Sequence, residues 1–300
     1  MRVQSTMSSK LRIGKLVVIG VGLIGGSFAA SLKRANIVER VVGVGRTRRN
    51  LAAALRAGII DEIVADAGRA VRDADLVFIG TPVGQTAAVM ARIAPHLPPH
   101  AVTTDGGSTK QDVIAHARRL LGGHFARFVP AHPIAGAEKS GASAATGELF
   151  HGRTVILVPQ PGTAPRAVRL VRSAWEQCGA HVTRLGAREH DEIFAAVSHL
   201  PHVVAYALVS ALARRRNGRE LFGVAGAGLR DTVRIAGSSP EMWRDICLAN
   251  RTALLTWIDR YLTELKIARR AIRRGDGATL GSIFERARAS RAKWLLKAKS

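Results

Sequence analysis

Residues 16–32 read LVVIGVGLIGGSFAASL, an apolar run that passes through three spaced glycines into an alanine-rich segment. The β-branched run predicts a buried strand, and the segment after the glycines predicts a helix. In Gly20-x-Gly22-x-x-Gly25, the first glycine permits a tight turn and the second lets the backbone approach a pyrophosphate, while the third lets the helix pack on the strand. This order of strand, glycines and helix predicts a dinucleotide-binding domain of the Rossmann type.

Strand and helix patterns alternate through the first half of the chain. Strands that alternate with helices imply crossover connections and a parallel sheet. After about residue 184 the pattern becomes helical, so we expect an α/β Rossmann-type N-terminal domain with a mostly parallel sheet, followed by an all-α C-terminal domain. The expected bounds are 11–185 and 186–300, after a loose tail at 1–10. The predicted strands lie at residues 16–19, 41–44, 76–79, 101–104, 127–130 and 154–158.

The backbone amides at the start of the first helix are the expected anion contacts. Leu23 and Ile24 open this helix, and unpaired amides at a helix N-terminus bind a pyrophosphate. Thr81 and Pro82 follow the strand at 76–79 and should flank the nicotinamide end of the crevice. A glycine turn that serves packing alone is the alternative. The bases before the apolar run also resemble a signal peptide, but the glycines within the run favour a strand and a turn.

The end of the second strand bears on the choice of cofactor. NAD-binding sites usually place an acid there to accept hydrogen bonds from the ribose. Here Gly45 takes that place and is followed by Arg46, Thr47 and Arg48. Two guanidinium groups and a hydroxyl suit a 2′-phosphate, so we predict that NADP is preferred over NAD. Two solvated arginines in a loop are the alternative.

The composition limits the class of protein. With 300 residues, 47% of them hydrophobic, the chain can bury the cores of two domains. Its two cysteines, Cys178 and Cys247, lie far apart without metal-ligand spacing, so we expect neither a disulfide nor a metal site. The apolar stretch at 193–212 is interrupted by His199 and Pro201 and therefore predicts a buried helix, not a membrane span. A cytoplasmic protein is the expectation.

Basic residues are in large excess. The chain has 45 Lys+Arg against 22 Asp+Glu, a formal net charge of +23. Such an excess suits acidic small molecules or polyanions but does not indicate a fold. Eleven of the bases fall within 266–299, beside only Asp276 and Glu285, a pattern typical of a solvated helix face. Nucleic-acid binding is the alternative, but the run lacks interleaved aromatics and a recognisable binding motif.

A second stretch, AHPIAGAEKSG at 131–141, raises the question whether His132 serves a turn or chemistry. An X-Pro pair is mainly a turn signal, because the residue before proline is pushed out of the helical region. His132 also follows a predicted strand, at the rim where the nicotinamide should lie. Histidine is the usual general base near neutral pH. Taken alone, the stretch leaves both interpretations open.

Five blocks, with their order and spacing, resemble the prephenate/arogenate dehydrogenase family of tyrosine biosynthesis. The resemblance implies a Rossmann-type domain followed by a helical domain that forms a homodimer. It also implies an NAD(P)-dependent oxidative decarboxylation of the dicarboxylate prephenate, or of arogenate. The similarity extends over residues 15–294, and its blocks are GVGLIGGS (20–27), TDGGSTK (104–110), HPIAGAEKSG (132–141), SHLPH (198–202) and RDTVRIAGSSPEMW (230–243).

The resemblance implies roles for individual residues. His132 matches the family's catalytic histidine, which takes the C4 hydroxyl proton as the hydride leaves. Ser108 matches the serine that hydrogen-bonds this histidine, and a helix N-cap is its alternative role. Arg234 matches the arginine that binds the side-chain carboxylate, with an ordinary surface arginine as the alternative. His202 and Ser198 lie four residues apart, hence on one helix face, and match positions that line the substrate pocket.

Further positions follow from the same resemblance. Glu138 and Trp243 match residues that help to close the pocket, and Asp231 is expected to orient the substrate-binding arginine. His190 is an additional pocket candidate. Pro201 is expected to kink its helix and open the pocket face.

Several alternatives stay open at this point. Gly45 stands where many NAD-using members carry an acid, so NAD is the alternative to NADP. A β-hydroxyacid or imine reductase is the nearest competing enzyme. A non-catalytic dinucleotide sensor or a nucleic-acid-binding module is the competing class of protein. Salt dependence distinguishes nucleic-acid binding, because the affinity for a polyanion falls steeply as the salt concentration rises. We expect neither a chorismate mutase segment before the first strand nor a regulatory domain after the helices. The sequence does not separate prephenate from arogenate.

Overall fold

The first sheet has six strands, all parallel. Its order is β3-β2-β1-β4-β5-β6, so the strand order reverses between β1 and β4. Ligands of open parallel sheets bind at such a reversal, beyond the carboxyl ends of the strands. The strands are β1 (Ile13–Ile19), β2 (Val38–Val44), β3 (Glu62–Ile63), β4 (Leu76–Ile79), β5 (Val102–Asp105) and β6 (Phe128–Val129).

Helices cover both faces of this sheet. Successive strand side chains point to opposite faces, and Leu16 and Val18 belong to one buried core while Val17 and Ile19 belong to the other. The first core is completed by packed rings, among them Phe28 and Trp175 with centroids 4.5 Å apart. The helices of this part are α1 (Leu23–Arg34), α2 (Arg48–Arg56), α3 (Ala67–Ala70), α4 (Thr86–Ile93), α5 (Gln111–Leu120) and α6 (Pro165–Gln177).

A second, three-stranded sheet corrects one expectation. The predicted strand at 127–130 ends before Pro130, because proline has no N–H to donate to a strand ladder. The chain resumes as β7 (Ala131–Pro133), which pairs antiparallel with β8 (Thr154–Leu157), and β8 pairs parallel with β9 (His181–Arg184). The strand predicted at 154–158 therefore lies outside the parallel sheet, and β9 has no counterpart among the predicted strands.

The secondary structure described after β9 is helical, which together with the parallel sheet confirms the predicted fold class. The computed structural model describes residues 11–136, 141–216 and 218–297, so the predicted tail at 1–10 lies outside it. The chain divides into two compact units, Met1–Asn250 and Arg251–Ser300, and the domain boundary at 185/186 stays a prediction. The helices are α7 (Ala187–Phe194), α8 (Leu200–Ala213), α9 (Gly218–Gly223), α10 (Ala227–Val233), α11 (Pro240–Ala249), α12 (Arg251–Arg274) and α13 (Gly277–Lys297).

A π-helical turn, Ala195–His199, joins α7 to α8. Such wide turns relieve the clash and the lost hydrogen bond that a proline inside a helix causes, and they occur often at functional sites. Here the turn ends two residues before Pro201, so the irregularity expected at the proline lies in the turn before it. The continuous helix Ala187–Ala213 is the one described helix long and apolar enough to cross a membrane by length and composition. That no segment does so stays a prediction.

Candidate active site

The glycine loop after β1 leaves space for a ligand at one position only. Gly20 has φ +97°, and a Cβ there would lie 2.7 Å from the Gly80 backbone. A Cβ on Gly25 would lie 2.3 Å from the Gly20 carbonyl oxygen, so α1 packs directly on the turn. A Cβ on Gly22 would meet nothing within 4 Å. The outer two glycines are therefore required by packing, while Gly22 faces open space.

The start of α1 fits a pyrophosphate. The helix begins at Leu23 after Gly22, with no side-chain cap and no acid in its first turn. The amides of Leu23 and Ile24 are thus left for an anion. Beyond β4, the Thr81 hydroxyl is buried and has no hydrogen-bond partner within the part of the chain that the structure describes. These features fit a dinucleotide that extends from α1 towards Thr81 and Pro82.

Two alanine substitutions separate packing from binding in this loop. Gly22→Ala should leave the folded protein as stable as the wild type but weaken dinucleotide binding, because the added methyl occupies the open approach to the amides. Gly25→Ala should lower the free energy of unfolding by about 1–3 kcal/mol, because the methyl collides with backbone. Urea unfolding and titration calorimetry with NAD and NADP measure the two effects. Equal loss of stability in both variants would contradict the assignment.

The end of β2 carries exposed arginines, one of which lies near a carboxylate on α11. Arg46 and Arg48 are exposed, and Thr47 precedes α2 as its N-cap residue. An Arg46 guanidinium nitrogen lies 3.8 Å from a carboxylate oxygen of Glu241 on α11. Glu241 was not among the predicted site residues, because nothing in the sequence relates a position on α11 to the end of β2.

His132 lies on β7, opposite Ile156 of β8. Its side chain is buried with 9% of the residue exposed, and its Nδ1 lies 2.8 Å from Nε2 of His190, which is fully buried. The Phe194 ring packs against both imidazoles, with centroid distances of 4.7 and 4.6 Å. The structure therefore joins His190, predicted only as a pocket candidate, directly to the predicted base.

Asp191 anchors this pair of histidines. Its Oδ1 lies 2.8 Å from His190 Nδ1, and the carboxylate accepts hydrogen bonds from the backbone N–H groups of Lys110 (2.8 Å) and Gln111 (2.9 Å). Two amides at the start of α5 are thereby capped, as an acid at a helix N-terminus should do. Ser108, whose alternative role was this capping, does not supply it. No hydrogen bond between Ser108 and His132 is formed among the described residues.

Burial and nearby charges set the protonation states of His132, His190 and Asp191. Burial, followed by the nearby His190, Lys110 and His199, lowers the pKa of His132 well below its usual value. Burial also lowers the pKa of His190, although the hydrogen bond to Asp191 opposes this shift. Burial would raise the pKa of Asp191, but the bonds from His190 and the two amides prevail and lower it. Both imidazoles are neutral and Asp191 is ionised near pH 7.

A buried ion pair holds β7 against the end of β5. Lys110 Nζ lies 2.5 Å from Asp105 Oδ2, donates to the Ala131 carbonyl at 2.7 Å, and is fully buried. The Ala131 N–H donates to Asp105 Oδ1 at 3.0 Å. Because Asp105 ends the parallel strand β5, which lies between β4 and β6, this pair places the neighbouring His132 at the carboxyl edge of the sheet. Lys110 and Asp105 lie within the block TDGGSTK, from which only Ser108 was selected as a site residue.

A second group of predicted residues meets around α8. His202 stacks on Trp243 of α11, with centroids 3.4 Å apart and planes inclined by 18°. Its Nδ1 donates to the Ser198 backbone carbonyl at 2.9 Å, so the contact between these two residues does not use the Ser198 hydroxyl. Burial lowers the pKa of His202, and the Arg234 charge lowers it further, which puts Arg234 in the same surroundings. Asp231 is exposed on α10, and Glu138 lies outside the described residues.

His199 and Asn250 connect this group to the histidine pair. The Asn250 side-chain amide donates to the Asp191 carbonyl at 2.7 Å and lies 3.1 Å from His199 Nδ1. Burial lowers the pKa of His199 to about 4, so this imidazole is neutral. Its Nε2 and the Trp243 indole N–H are buried without a partner among the described residues. Asn250 was not predicted, since an isolated asparagine in a helical sequence carries no signal of such a role.

Comparison with known proteins gives consistent matches along the chain. The prephenate dehydrogenase nucleotide-binding domain matches residues 28–184, and the prephenate dehydrogenase dimerization domain matches residues 186–286. Cyclohexadienyl dehydrogenase of Zymomonas mobilis is 35% identical over 278 residues, 92% of this chain and 94% of that protein. Prephenate dehydrogenase of Bacillus subtilis is 35% identical over 275 residues, 91% of this chain and 74% of that protein.

Solved structures agree with these matches. The structure of Aquifex aeolicus prephenate dehydrogenase in complex with hydroxyphenyl propionate and NAD+ superposes with a TM-score of 0.88 at 33% identity, over 95% of this chain and 99% of that one. Fold, sequence and the order of the two domains thus agree over nearly the whole chain. The chain belongs to the prephenate dehydrogenase family of NAD(P)-dependent enzymes.

Proposed function

We propose that this protein oxidatively decarboxylates prephenate to 4-hydroxyphenylpyruvate in tyrosine biosynthesis, with His132 as the general base. The observation that carries the proposal is the buried pair of His132 and His190 at the carboxyl edge of the parallel sheet. A neutral imidazole there suits the removal of a hydroxyl proton. Family membership supports the choice of substrate.

The reaction balances with one base and one hydride acceptor. His132 takes the proton of the C4 hydroxyl, and the C4–O bond becomes a carbonyl as the C4–H bond breaks. The nicotinamide, when bound, accepts the hydride. The C1–carboxylate bond then breaks, CO2 leaves, and its electron pair makes the ring aromatic with the negative charge on the C4 oxygen. His132 returns its proton to that oxygen.

The substrate needs cationic and hydrogen-bonding partners for its two carboxylates. Arg234 is the proposed partner of the side-chain carboxylate, where a guanidinium fork orients as well as binds. His202 and Ser198 line the pocket, with Trp243 supporting the His202 ring. Asp231 is proposed to orient Arg234. Glu138 is proposed to help close the pocket. We also propose a homodimer through the helical domain and a cytoplasmic location.

NADP is the proposed preferred cofactor, on the exposed Arg46 and Arg48 beside Gly45. Gly45→Asp tests it: Gly45 is exposed, and a Cβ at this position would make ordinary contact with Leu51 at 3.4 Å, so the backbone tolerates a side chain there. The new carboxylate should accept hydrogen bonds from the ribose of NAD and repel the 2′-phosphate of NADP. We expect the ratio of kcat/KM for NADP to that for NAD to fall by about tenfold or more, which corresponds to a difference of about 1.4 kcal/mol. An unchanged ratio, or a wild type that prefers NAD, would contradict the proposal.

The proposed function is tested by absorbance of the reduced nicotinamide, with prephenate and arogenate each crossed with NAD and NADP. Turnover of prephenate supports the proposal. Turnover of arogenate as well would make the protein a dual-specificity enzyme, the second candidate, which the Zymomonas mobilis relative named cyclohexadienyl dehydrogenase favours. Tight cofactor binding without turnover of either compound would overturn both and leave a reductase or a sensor.

A further inference from the structure

We propose that His190, held by Asp191, is a positioning residue that keeps the proton of neutral His132 on Nδ1 and so leaves Nε2 as the base. The inference rests on the proposed function for its catalytic meaning. The tautomer itself is a property of the folded protein that can be observed without turnover.

Asp191 is the fixed end of the chain of contacts that leads to His132. The Asp191 carboxylate accepts from two backbone amides, which are donors in every protonation state. An ionised carboxylate only accepts hydrogen bonds. The group that faces it at 2.8 Å, His190 Nδ1, must therefore carry the hydrogen and donate it.

The tautomer of His190 dictates that of His132. A neutral imidazole has one N–H and one lone pair, so His190, with its proton on Nδ1, offers a lone pair at Nε2. The 2.8 Å contact with His132 Nδ1 is then a hydrogen bond donated by His132. This leaves the lone pair of His132 on Nε2, which the protein does not occupy with any hydrogen bond among its described residues.

The opposite arrangement requires a charged His190. That ion would donate from both nitrogens and would force the proton of His132 onto Nε2, where it blocks the base. Full burial of His190, with the positive Lys110 nearby, disfavours this ion. Lys110 itself is engaged with Asp105 and the Ala131 carbonyl, so it does not approach the imidazoles as a donor.

Packing makes this arrangement specific. Phe194 lies against both rings, and Asn250 donates to the backbone carbonyl of Asp191. The orientation of each imidazole ring is thus fixed by packing against Phe194 as well as by its hydrogen bond. When His132 Nε2 accepts the substrate proton, the charge that forms is stabilised by the hydrogen bond to His190 and, through it, by Asp191, without a further proton transfer.

Nitrogen-15 NMR of the full chain, labelled at histidine, tests the inference directly. His132→Asn identifies the His132 resonances, and the spectrum at neutral pH reports which ring nitrogen carries the hydrogen. We expect Nδ1–H in the wild type and a shift towards Nε2–H in His190→Phe, which keeps an aromatic ring but removes the acceptor. A wild-type His132 with its hydrogen on Nε2, or a tautomer unchanged by His190→Phe, overturns the inference.

Kinetics give a second readout with a conservative control. His190→Phe should lower kcat by about 10²-fold, the usual contribution of a positioned base, with little change in KM. His190→Gln, whose side-chain oxygen can accept from His132 Nδ1, should recover most of that loss. Equal losses in the two variants would overturn the inference even if both fold. If the wild type shows the expected tautomer but no turnover, the positioning stands and the proposed function fails.

Discussion

His132→Asn should lower kcat by about 10²-fold or more with prephenate, while affinity for the dinucleotide stays at the wild-type level. The reason is that the variant loses the group that accepts the hydroxyl proton as the hydride leaves, and positioned general bases contribute that much. The glycine loop and the amides of Leu23 and Ile24 lie on other elements and are unaffected. Steady-state kinetics and calorimetric cofactor titration measure the two quantities.

A histidine on the same small sheet provides the control. His181 is exposed on β9, so His181→Asn should retain wild-type kcat. The pH profile gives the sign of the effect. Because burial lowers the pKa of His132, the base is neutral at pH 7, and kcat/KM should fall only as pH drops through a value below about 6.5, the usual histidine pKa. An acidic limb centred above that value, or full activity in His132→Asn, would exclude His132 as the base.

Lys110→Met should lower the free energy of unfolding by about 3–5 kcal/mol. Lys110 and Asp105 are an ion pair with side-chain exposures of 0% and 3%, so removing the cation leaves a buried carboxylate without its counter-charge. Breaking one partner of a buried pair costs this much even where the pair itself contributes little net stability. Urea unfolding monitored by tryptophan fluorescence measures the change.

Two controls test the cause of that loss. Asp105→Asn combined with Lys110→Met removes both charges and should recover part of the stability lost by Lys110→Met alone. Lys33→Met breaks the pair with Asp61, whose side chains are 29% and 39% exposed, and should cost no more than about 1 kcal/mol. Equal losses for Lys110→Met and Lys33→Met would show that the buried charge is not the cause.

Local sequence patterns predicted the parts of the fold that depend on neighbouring residues. The glycines at 20, 22 and 25 run from the end of β1 into the first turn of α1, as expected, because the strand, turn and helix patterns are each local in the sequence. The two-residue strand β3 is too short for any periodicity. The second sheet was missed because pairing of β7 with β8 joins residues more than twenty positions apart.

Distance along the sequence also explains which parts of the candidate site were missed. His132 could be singled out because its block is recognisable in the sequence. Its partner His190 is 58 residues away, and Asp191 reaches back 81 residues to the Lys110 amide. Spacing over such distances carries no geometric information, so the hydrogen-bond chain from Asn250 to His132 emerges only in three dimensions.

Product stoichiometry with limiting prephenate and excess NADP, or NAD if that cofactor is preferred, tests the proposed oxidative decarboxylation most directly. Reduced nicotinamide, carbon dioxide and 4-hydroxyphenylpyruvate are each quantified at the end point. Oxidative decarboxylation requires one mole of each per mole of prephenate consumed. Reduced cofactor formed without an equal amount of carbon dioxide would identify a simple alcohol oxidation, and no reduction despite bound cofactor would contradict the proposed reaction altogether.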